Sequence, residues 1–487
     1  RHFNGHVVRC VQGASRGRYA VYHLELRPWL WFLTRSADCR IFHEKTAVEI
    51  LDTVFLDYSG VQIEKKLTAT YHKRTFCAQY RETDFDFVSR LMEEEGIYYF
   101  VKHADGQHTV VLCDAVSAHA AIPGGTLKHV TADSASNLSD DHVWEWQRVD
   151  SLQSLKYTHT DFAFQFPSAD LTTTASVAET GVKSKPADLD LFDYPGHYDD
   201  PTNGSAAARK TVGEKYAKSR VGELESRQVV ASGLSNFRHL SVGCTFSLAD
   251  HPQAGDYLIT AATYELEFGE QEARRDVETG PGFRCRFEAI PKATRFQPQR
   301  ITPRPFVHGP QTAVVVGASG DEILTDEFGR VRLQFRWDRL GTKDEKSSAW
   351  VRVSHPWASK GFGMIALPRV GDEVVVSFLE GDPDQPMVTG RVYNAENMPI
   401  YKLPDHATIA GIRTRSSKEG TASNFNELRF EDKKGSEYVR MQAEKDYHRH
   451  VKASAFDFIG GNETQVVKGL RKESVEKDWT VKAGENY

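Results

Sequence analysis

Val331-Arg-Leu-Gln-Phe-Arg-Trp-Asp338 alternates apolar and polar side chains without a break. Val331, Leu333, Phe335 and Trp337 fall on one face of an extended chain, while Arg332, Gln334, Arg336 and Asp338 fall on the other. A period of two is the pattern of a strand with one face buried. The four apolar residues are therefore expected to form part of a barrel core. Asp326-Glu-Phe-Gly329 supplies the turn before this strand. Further strands are expected at Trp350–Ser354, Met364–Leu367, Glu373–Leu379 and Met387–Tyr393, separated by His355-Pro356, Arg369-Val-Gly-Asp372 and Gly381-Asp-Pro-Asp-Gln-Pro386. Five short strands in so compact a block, 311–395, fit a small barrel of the oligonucleotide/oligosaccharide-binding (OB) type.

Upstream, Phe296 to Pro310 carries Pro298, Pro303, Pro305 and Pro310. That composition favours an extended linker, assigned to 298–310. The 297 residues before it read as mixed α and β. Thr83 to Gly96 has the form of a capped helix, with Thr83 as cap, Phe87, Val88, Leu91 and Met92 as its apolar face, and Gly96 as its stop. A strand, Ile97–Val101, follows at once. The run Glu93 to Glu95 is expected to be a solvated helix face. Ala206 to Ser226 is a second, mostly polar helix with Val212, Tyr216 and Leu224 as candidate contacts.

Downstream, 396–450 is polar and reads as a connecting segment. Beyond it Ile459-Gly-Gly461 and Val467-Lys-Gly469 share the form apolar-x-Gly, eight residues apart. Val451 and Val475 continue the apolar register in both directions, with Ala453 and Lys477 where the glycine stood. An octad suits neither a helical repeat nor the coiled-coil period. It suits a short strand, a turn and another strand. One such ribbon has no second layer and two unpaired edges. Three chains wound about one axis resolve both problems, so 451–487 is expected to form a homotrimeric β-prism with Val451, Ile459, Val467 and Val475 ringed at its core.

At 487 residues the chain is expected to hold roughly three domains of about 150 residues. It begins at Arg1, within the expected strand Gly5–Arg9, and is expected to be a fragment lacking its natural start. The apolar stretch Trp29–Leu33 is far short of the ~20 residues a spanning helix needs. Net charge is −6, from 61 basic and 67 acidic side chains, which argues against a nucleic-acid partner. The aromatics Phe335, Trp337, Trp350 and Trp357 accordingly read as packing, not as a stacking platform for single strands. Six cysteines, Cys10, Cys39, Cys77, Cys113, Cys244 and Cys285, are widely spaced with no Cys-x-x-Cys pair, which points to reduced thiols and to no zinc site. The pairs His103/His108 and His448/His450, and His355 near Trp357, lack the further ligands of a closed metal site. No metal, cofactor or catalytic residue is assigned.

Several long motifs, in order, carry a family resemblance. Phe328-Gly-Arg-Val-Arg-Leu-Gln-Phe-Arg-Trp-Asp-Arg339, Trp350-Val-Arg-Val-Ser354, the run Pro368 to Pro386 and Gly390-Arg-Val-Tyr-Asn394 resemble the barrel of VgrG proteins. Gln79 to Phe100 and Asp193-Tyr-Pro-Gly196 resemble that family's hub signatures. The resemblance implies a mainly β chain with α+β hub domains: phage-hub-like barrels over 1–297, an OB barrel over 311–395, and the start of a trimeric triple-stranded β-helix over 451–487. It also implies a type VI secretion spike that sits on a tube of hexameric Hcp rings. Such a spike carries a PAAR-repeat tip protein and effector proteins, and punctures a target membrane mechanically. It would be assembled in the bacterial cytoplasm and then driven out of the cell. Against the longer hubs and needles usual in the family, this first barrel and this needle are both expected to be incomplete.

The alternative is a phage-like needle protein with peptidoglycan-hydrolase activity. A glycosidase needs two carboxylates across a cleft. Glu419, Glu427, Glu431 and Asp432 lie instead among Lys418, Arg429, Lys433 and Lys434, in an interval too short for a hydrolase domain.

Overall fold

In the computed structural model the described residues are 1–15, 17, 19–131, 140–177, 189–266, 283–482 and 484. They form two compact units, Arg1–Met398 and Pro399–Tyr487. The end of the last repeat, at Tyr487, lies outside the described residues.

The first unit opens with an α+β layer. Helix α1 (Ala47–Phe55) starts at a capping box in which Thr46 and Glu49 exchange hydrogen bonds. Helix α2 (Asp84–Glu95) starts where the Asp86 backbone N–H donates to Thr83 Oγ1 at 3.0 Å. It stops at Gly96, whose φ of 74° suits a residue without a Cβ. Both helices bury an apolar stripe (Ile50, Leu51 and Val54 from α1; Phe87, Val88 and Leu91 from α2) against Trp29 and Leu33. The strands Ile63–Lys66, Gln107–Cys113 and Tyr98–Ala104 form one sheet there.

Next comes a closed six-stranded barrel, in the order Ala120–His129, His142–Asp150, Val229–Ser235, Phe283–Pro291, Gly255–Leu266 and Cys244–Ala249. Closure removes sheet edges, and Val143, Trp146, Phe246, Ile259 and Phe287 fill the interior. Helix α3 (Ala206–Ser226) packs on a separate three-stranded sheet, Thr173–Ser176, Lys156–His159 and Asp190–Asp193. Val212 is buried there, while Tyr216 and Leu224 are half-buried.

A second, smaller barrel follows. Its sheet runs Arg332–Phe335, Gln311–Val316, Glu373–Phe378, Pro386–Arg391 and Arg352–Val353. Paired backbone hydrogen bonds between Val331 and Val351, 2.9 and 2.8 Å, join its two outer strands. Val331, Leu333 and Phe335 are fully buried with Val315, Val351, Val374 and Val388. The strand ends at Phe335, so Trp337 sits in the following turn and is half-buried. Its ring stacks on Phe335 at 5.1 Å and its indole N–H donates to Gln311 Oε1 at 2.9 Å. The stretch expected as a strand at Met364–Leu367 is different: Phe362–Met364 pairs with Trp357–Ser359 as a separate exposed hairpin. Its alternation is obscured because the turn residues Lys360 and Gly361 follow so short a first strand.

In the second unit, the segment whose polarity reads as loop-like contains a three-stranded antiparallel meander, Ile409–Arg413, Glu427–Glu431 and Tyr438–Gln442. Its strand signal is masked by the many charges on one face. From Glu444 onward every described residue is exposed and none belongs to a helix or strand.

Candidate functional site

Glu93, Glu94 and Glu95 are buried, not solvated. Successive residues on a helix are 100° apart, so three in a row span about 200° of α2, and here all three positions face other parts of the fold. Each finds cations or donors from a distant part of the chain. Glu94 accepts from Arg74 at 2.8 Å and is paired with Arg304. Glu95 accepts from Arg74 at 3.0 Å, from Lys215 at 2.9 Å and from the Tyr216 hydroxyl at 2.9 Å. Glu93 accepts from the backbone N–H groups of Ile301 and Thr302, at 3.1 and 3.0 Å, and from the Thr302 hydroxyl at 2.7 Å. Burial alone would favour the protonated acids. For Glu94 the charges of Arg304 and Arg74 prevail, and for Glu95 those of Arg74 and Lys215, so both carboxyls lie below the usual range.

The proline-rich stretch 298–310 is held through this cluster. Besides Thr302 on Glu93, Arg304 bridges Glu94 and Asp382, the latter at 3.1 Å. The Val307 backbone N–H donates to the Gly381 carbonyl at 2.8 Å. Asp382 also pairs with His197 at 3.1 Å, and Asp384 accepts from the Ala78 N–H at 2.6 Å. The side chains of Phe76 and Ala78, far upstream in sequence, enter the core of the smaller barrel. Burial and the neighbouring charge of Asp382 push the Asp384 carboxyl up to about 7. Hydrogen bonds and ion pairs thus link helices α2 and α3, the proline segment and the smaller barrel. The partners of these glutamates lie up to 210 residues away, and nothing local points to them.

The octad residues stand at the other extreme. Val451, Ile459, Val467 and Val475 are 45, 50, 48 and 49% exposed, whereas Phe458 and Val466, one position before the register, are 83 and 78% exposed. Their near-identical exposure shows that the eight-residue period of the sequence is also a period of side-chain exposure.

The remaining candidates fall in varied settings. His108 accepts the Trp29 N–H at 2.8 Å and meets Asn4 Oδ1 at 2.6 Å, while His103 accepts the Asn4 N–H at 3.1 Å. Both rings are thus occupied by hydrogen bonds. His448 and His450 are exposed. Among the described residues no cluster of three or more His, Cys, Asp or Glu is placed to hold a metal. Trp350 lies beneath the Arg332 guanidinium, 4.4 Å from its ring centre, and Trp357 packs on Phe362 in the exposed hairpin. Glu427 is buried and accepts from Arg413 at 2.6 Å, Arg429 at 2.8 Å and Tyr401 at 3.2 Å. Burial favours its acid form, but the two arginines prevail and hold it below its ordinary range. That is the reverse of the raised pKa a glycosidic general acid requires. Glu431 is half-buried, and its carboxylate takes hydrogen bonds from the Thr408 hydroxyl and the Lys433 backbone N–H.

Three family models match consecutive parts of the chain. They are the phage tail baseplate hub over residues 1–270, the type VI secretion system/phage-baseplate injector OB domain over 311–393, and the bacteriophage T4 gp5 C-terminal trimerisation domain over 410–487. The type VI secretion system spike protein VgrG1b of Pseudomonas aeruginosa is 41% identical over 475 residues, 96% of this chain and 62% of the relative. VgrG1a of the same organism is 39% identical over 516 residues, covering 99% of this chain and 77% of the relative. The chain thus spans less than two thirds of VgrG1b and somewhat more of VgrG1a. Among solved structures, an Escherichia coli type VI secretion component (c3393) described as similar to the T4 tail proteins gp27 and gp5 superposes with a TM-score of 0.52. It is 20% identical and covers 80% of this chain and 84% of that one, a likeness of fold.

Proposed function

Because this chain belongs to the VgrG family of type VI secretion system spike proteins, we propose that it is a structural puncturing spike. In this reading it forms a homotrimer on an Hcp tube, carries a PAAR-type tip protein and effectors, and is pushed through a target membrane after cytoplasmic assembly. The observation that carries this is the order hub, OB barrel, trimerisation segment on a single chain, ending in an octad whose apolar register stays half-exposed in one copy. Val451, Ile459, Val467 and Val475 are the proposed rings of the trimer core. Val331, Leu333, Phe335 and Trp337 are proposed to stabilise the OB barrel. The domain limits that go with this reading are 1–297, 298–310, 311–395, 396–450 and 451–487.

The proposed role is mechanical and not enzymatic. Force enters at the hub, and the buried cluster around Glu94 ties the hub to the barrel so that neither slides on the other. In a three-chain needle, strands pair with both neighbours, so peeling one away breaks two sets of backbone hydrogen bonds. The test is the solution mass of the full chain, by sedimentation or light scattering at micromolar concentration. Three copies of the 54.8-kDa chain are expected, and a monomer at that concentration overturns the reading.

A further inference from the structure

One imidazole holds both ends of the first hairpin. Strand His6–Gln12 pairs there with Tyr22–Arg27, and His6 stands opposite Arg27. Asn4 lies just before the hairpin, and Trp29, which opens the short 3-10 helix Trp29–Arg35, lies just after it. His108, on the strand Gln107–Cys113 of the neighbouring sheet, is buried and reaches both. The Trp29 backbone N–H donates to its Nε2 at 2.8 Å, and its Nδ1 is 2.6 Å from Asn4 Oδ1. A backbone N–H only donates, so Nε2 carries no proton and Nδ1–H is the donor to Asn4. Only the neutral ring, in this one tautomer, satisfies both contacts. His103, on the adjacent strand Tyr98–Ala104, is fixed in the same manner, because its Nδ1 accepts the Asn4 backbone N–H at 3.1 Å. A two-stranded hairpin is marginal in water by itself, and Val7, Leu24 and Leu26 of this one are exposed, so the contacts at its base bear on whether it stays in place.

We propose that His108 is a proton-released latch: as the neutral imidazole it closes the base of this hairpin, and a second proton opens it. The chemistry is a change from acceptor to donor. Protonation sets an Nε2–H against the Trp29 N–H, two donors at 2.8 Å, and a buried donor left without an acceptor is unfavourable. Protonation of His103 does the same to the Asn4 N–H. Trp29 is 1% exposed and its ring meets Phe55 edge-on at 5.4 Å, so the part free to move is Asn4 with the strand it leads into. Two further rings face His108: His6 from the first strand, at 5.6 Å, and His103 from the adjacent strand, at 6.4 Å. Burial, and then the charges of His6 and His103, hold the His108 imidazole below its ordinary value of 6.5. Burial and the Arg1 charge act in the same direction on His103. The carboxylate of Asp105, in the turn between the two histidine-bearing strands, is 3.8 Å from His2 instead. The unfolded chain therefore takes up a proton here before the folded one does. The latch contributes fully above about pH 6.5, and its contribution is lost as the pH falls through the lowered folded value. Every contact it uses lies within one copy, so it is independent of the trimeric reading.

Amide hydrogen exchange of the full chain tests this, read by mass spectrometry and corrected for the intrinsic pH dependence of exchange. Deuterium uptake is followed in peptides covering His6–Gln12 and Tyr22–Trp29, with helix α2 as the internal reference, at about pH 5 and about pH 7.5. Relative to α2, the hairpin is expected to exchange at least about fivefold faster at the acid pH, the low end for a buried donor left without an acceptor. His108→Gln offers an acceptor and a donor from an amide that does not titrate. It is expected to match the parent at the higher pH and to lose the acceleration at the lower one. A parent whose hairpin and α2 keep the same ratio at both pH values overturns the proposal. Loosening of hairpin and α2 together is general acid unfolding and overturns it as well, as does an acceleration that persists in His108→Gln. If the glutamine variant does not fold, the parent's own ratio still decides.

Discussion

Glu93 to Glu95 and the apolar octad residues are mirror images of each other. The glutamates are charged yet buried, and the chain resolves this itself with Arg74, Lys215, Thr302 and Arg304. Val451, Ile459, Val467 and Val475 are apolar yet half-exposed, and among the described residues nothing covers them further. In the first region the cost of desolvating charge is offset by partners brought together by folding. In the second, apolar surface of the single copy stays in contact with water, and the proposed trimer would remove it. A residue whose environment opposes its chemistry therefore points to a partner. Whether that partner is intramolecular, as for the glutamates, or intermolecular, as proposed for the octads, is what separates the two regions.

The largest effect is expected at the octad. Val467→Asp places three carboxylates together in a water-poor ring, where unpaired burial and mutual repulsion are both unfavourable. Light scattering is expected to show loss of the trimeric needle, while Lys472→Asp changes little. An intact needle in the Val467→Asp protein would sink the inward assignment and with it the contrast between hub and needle.

Next in size is the hub. Glu94→Ala leaves Arg74 and Arg304 facing each other without their shared carboxylate, and breaking a buried pair in this way costs about 3–5 kcal/mol. Denaturant unfolding of the full chain reads that loss, and a wild-type midpoint would mean the cluster is not what ties hub to barrel. Trp337→Ala removes a ring that is only half-buried, so its cost should fall near or below the lower end of the ~3–5 kcal/mol seen for large aromatic truncations.

Asp384 sharpens the comparison through pH. Its folded pKa, about 7, lies above its ordinary value of 3.8. Its contribution to stability is thus fully present below pH ~4 and is lost as the pH rises through about 7. Asp384→Asn keeps an acceptor for the Ala78 N–H and has no proton to lose. It should match the parent near pH 4 and become the more stable of the two by pH 8, as read by thermal unfolding at both pH values. Equal stability at pH 8 would show that the carboxylate finds compensation there. The smallest expected effect is none: Glu427→Gln leaves peptidoglycan turnover at the background of the parent. Turnover that vanishes with this change would replace the mechanical reading with a hydrolytic one.

Helix α2 is legible in the amino-acid sequence because its signals are local. Thr83, Asp86 and Gly96 lie within one short segment, and caps act over three or four residues. The barrel strand at Val331 to Phe335 and the eight-residue period are legible for the same reason, since periodicity is written into neighbouring positions. Family membership follows from long motifs in a fixed order. Only the tertiary structure decides where Glu93 to Glu95 point, because their partners come from 20 to more than 200 residues away and no local pattern encodes a distance of that kind. It also decides that the strand stops before Trp337, and that the polar stretch after the barrel is a sheet with one charged and one apolar face. A strand's period of two tells which residues share a face. Which face is buried depends on what packs against it, and that is settled by the rest of the chain or by another copy of it.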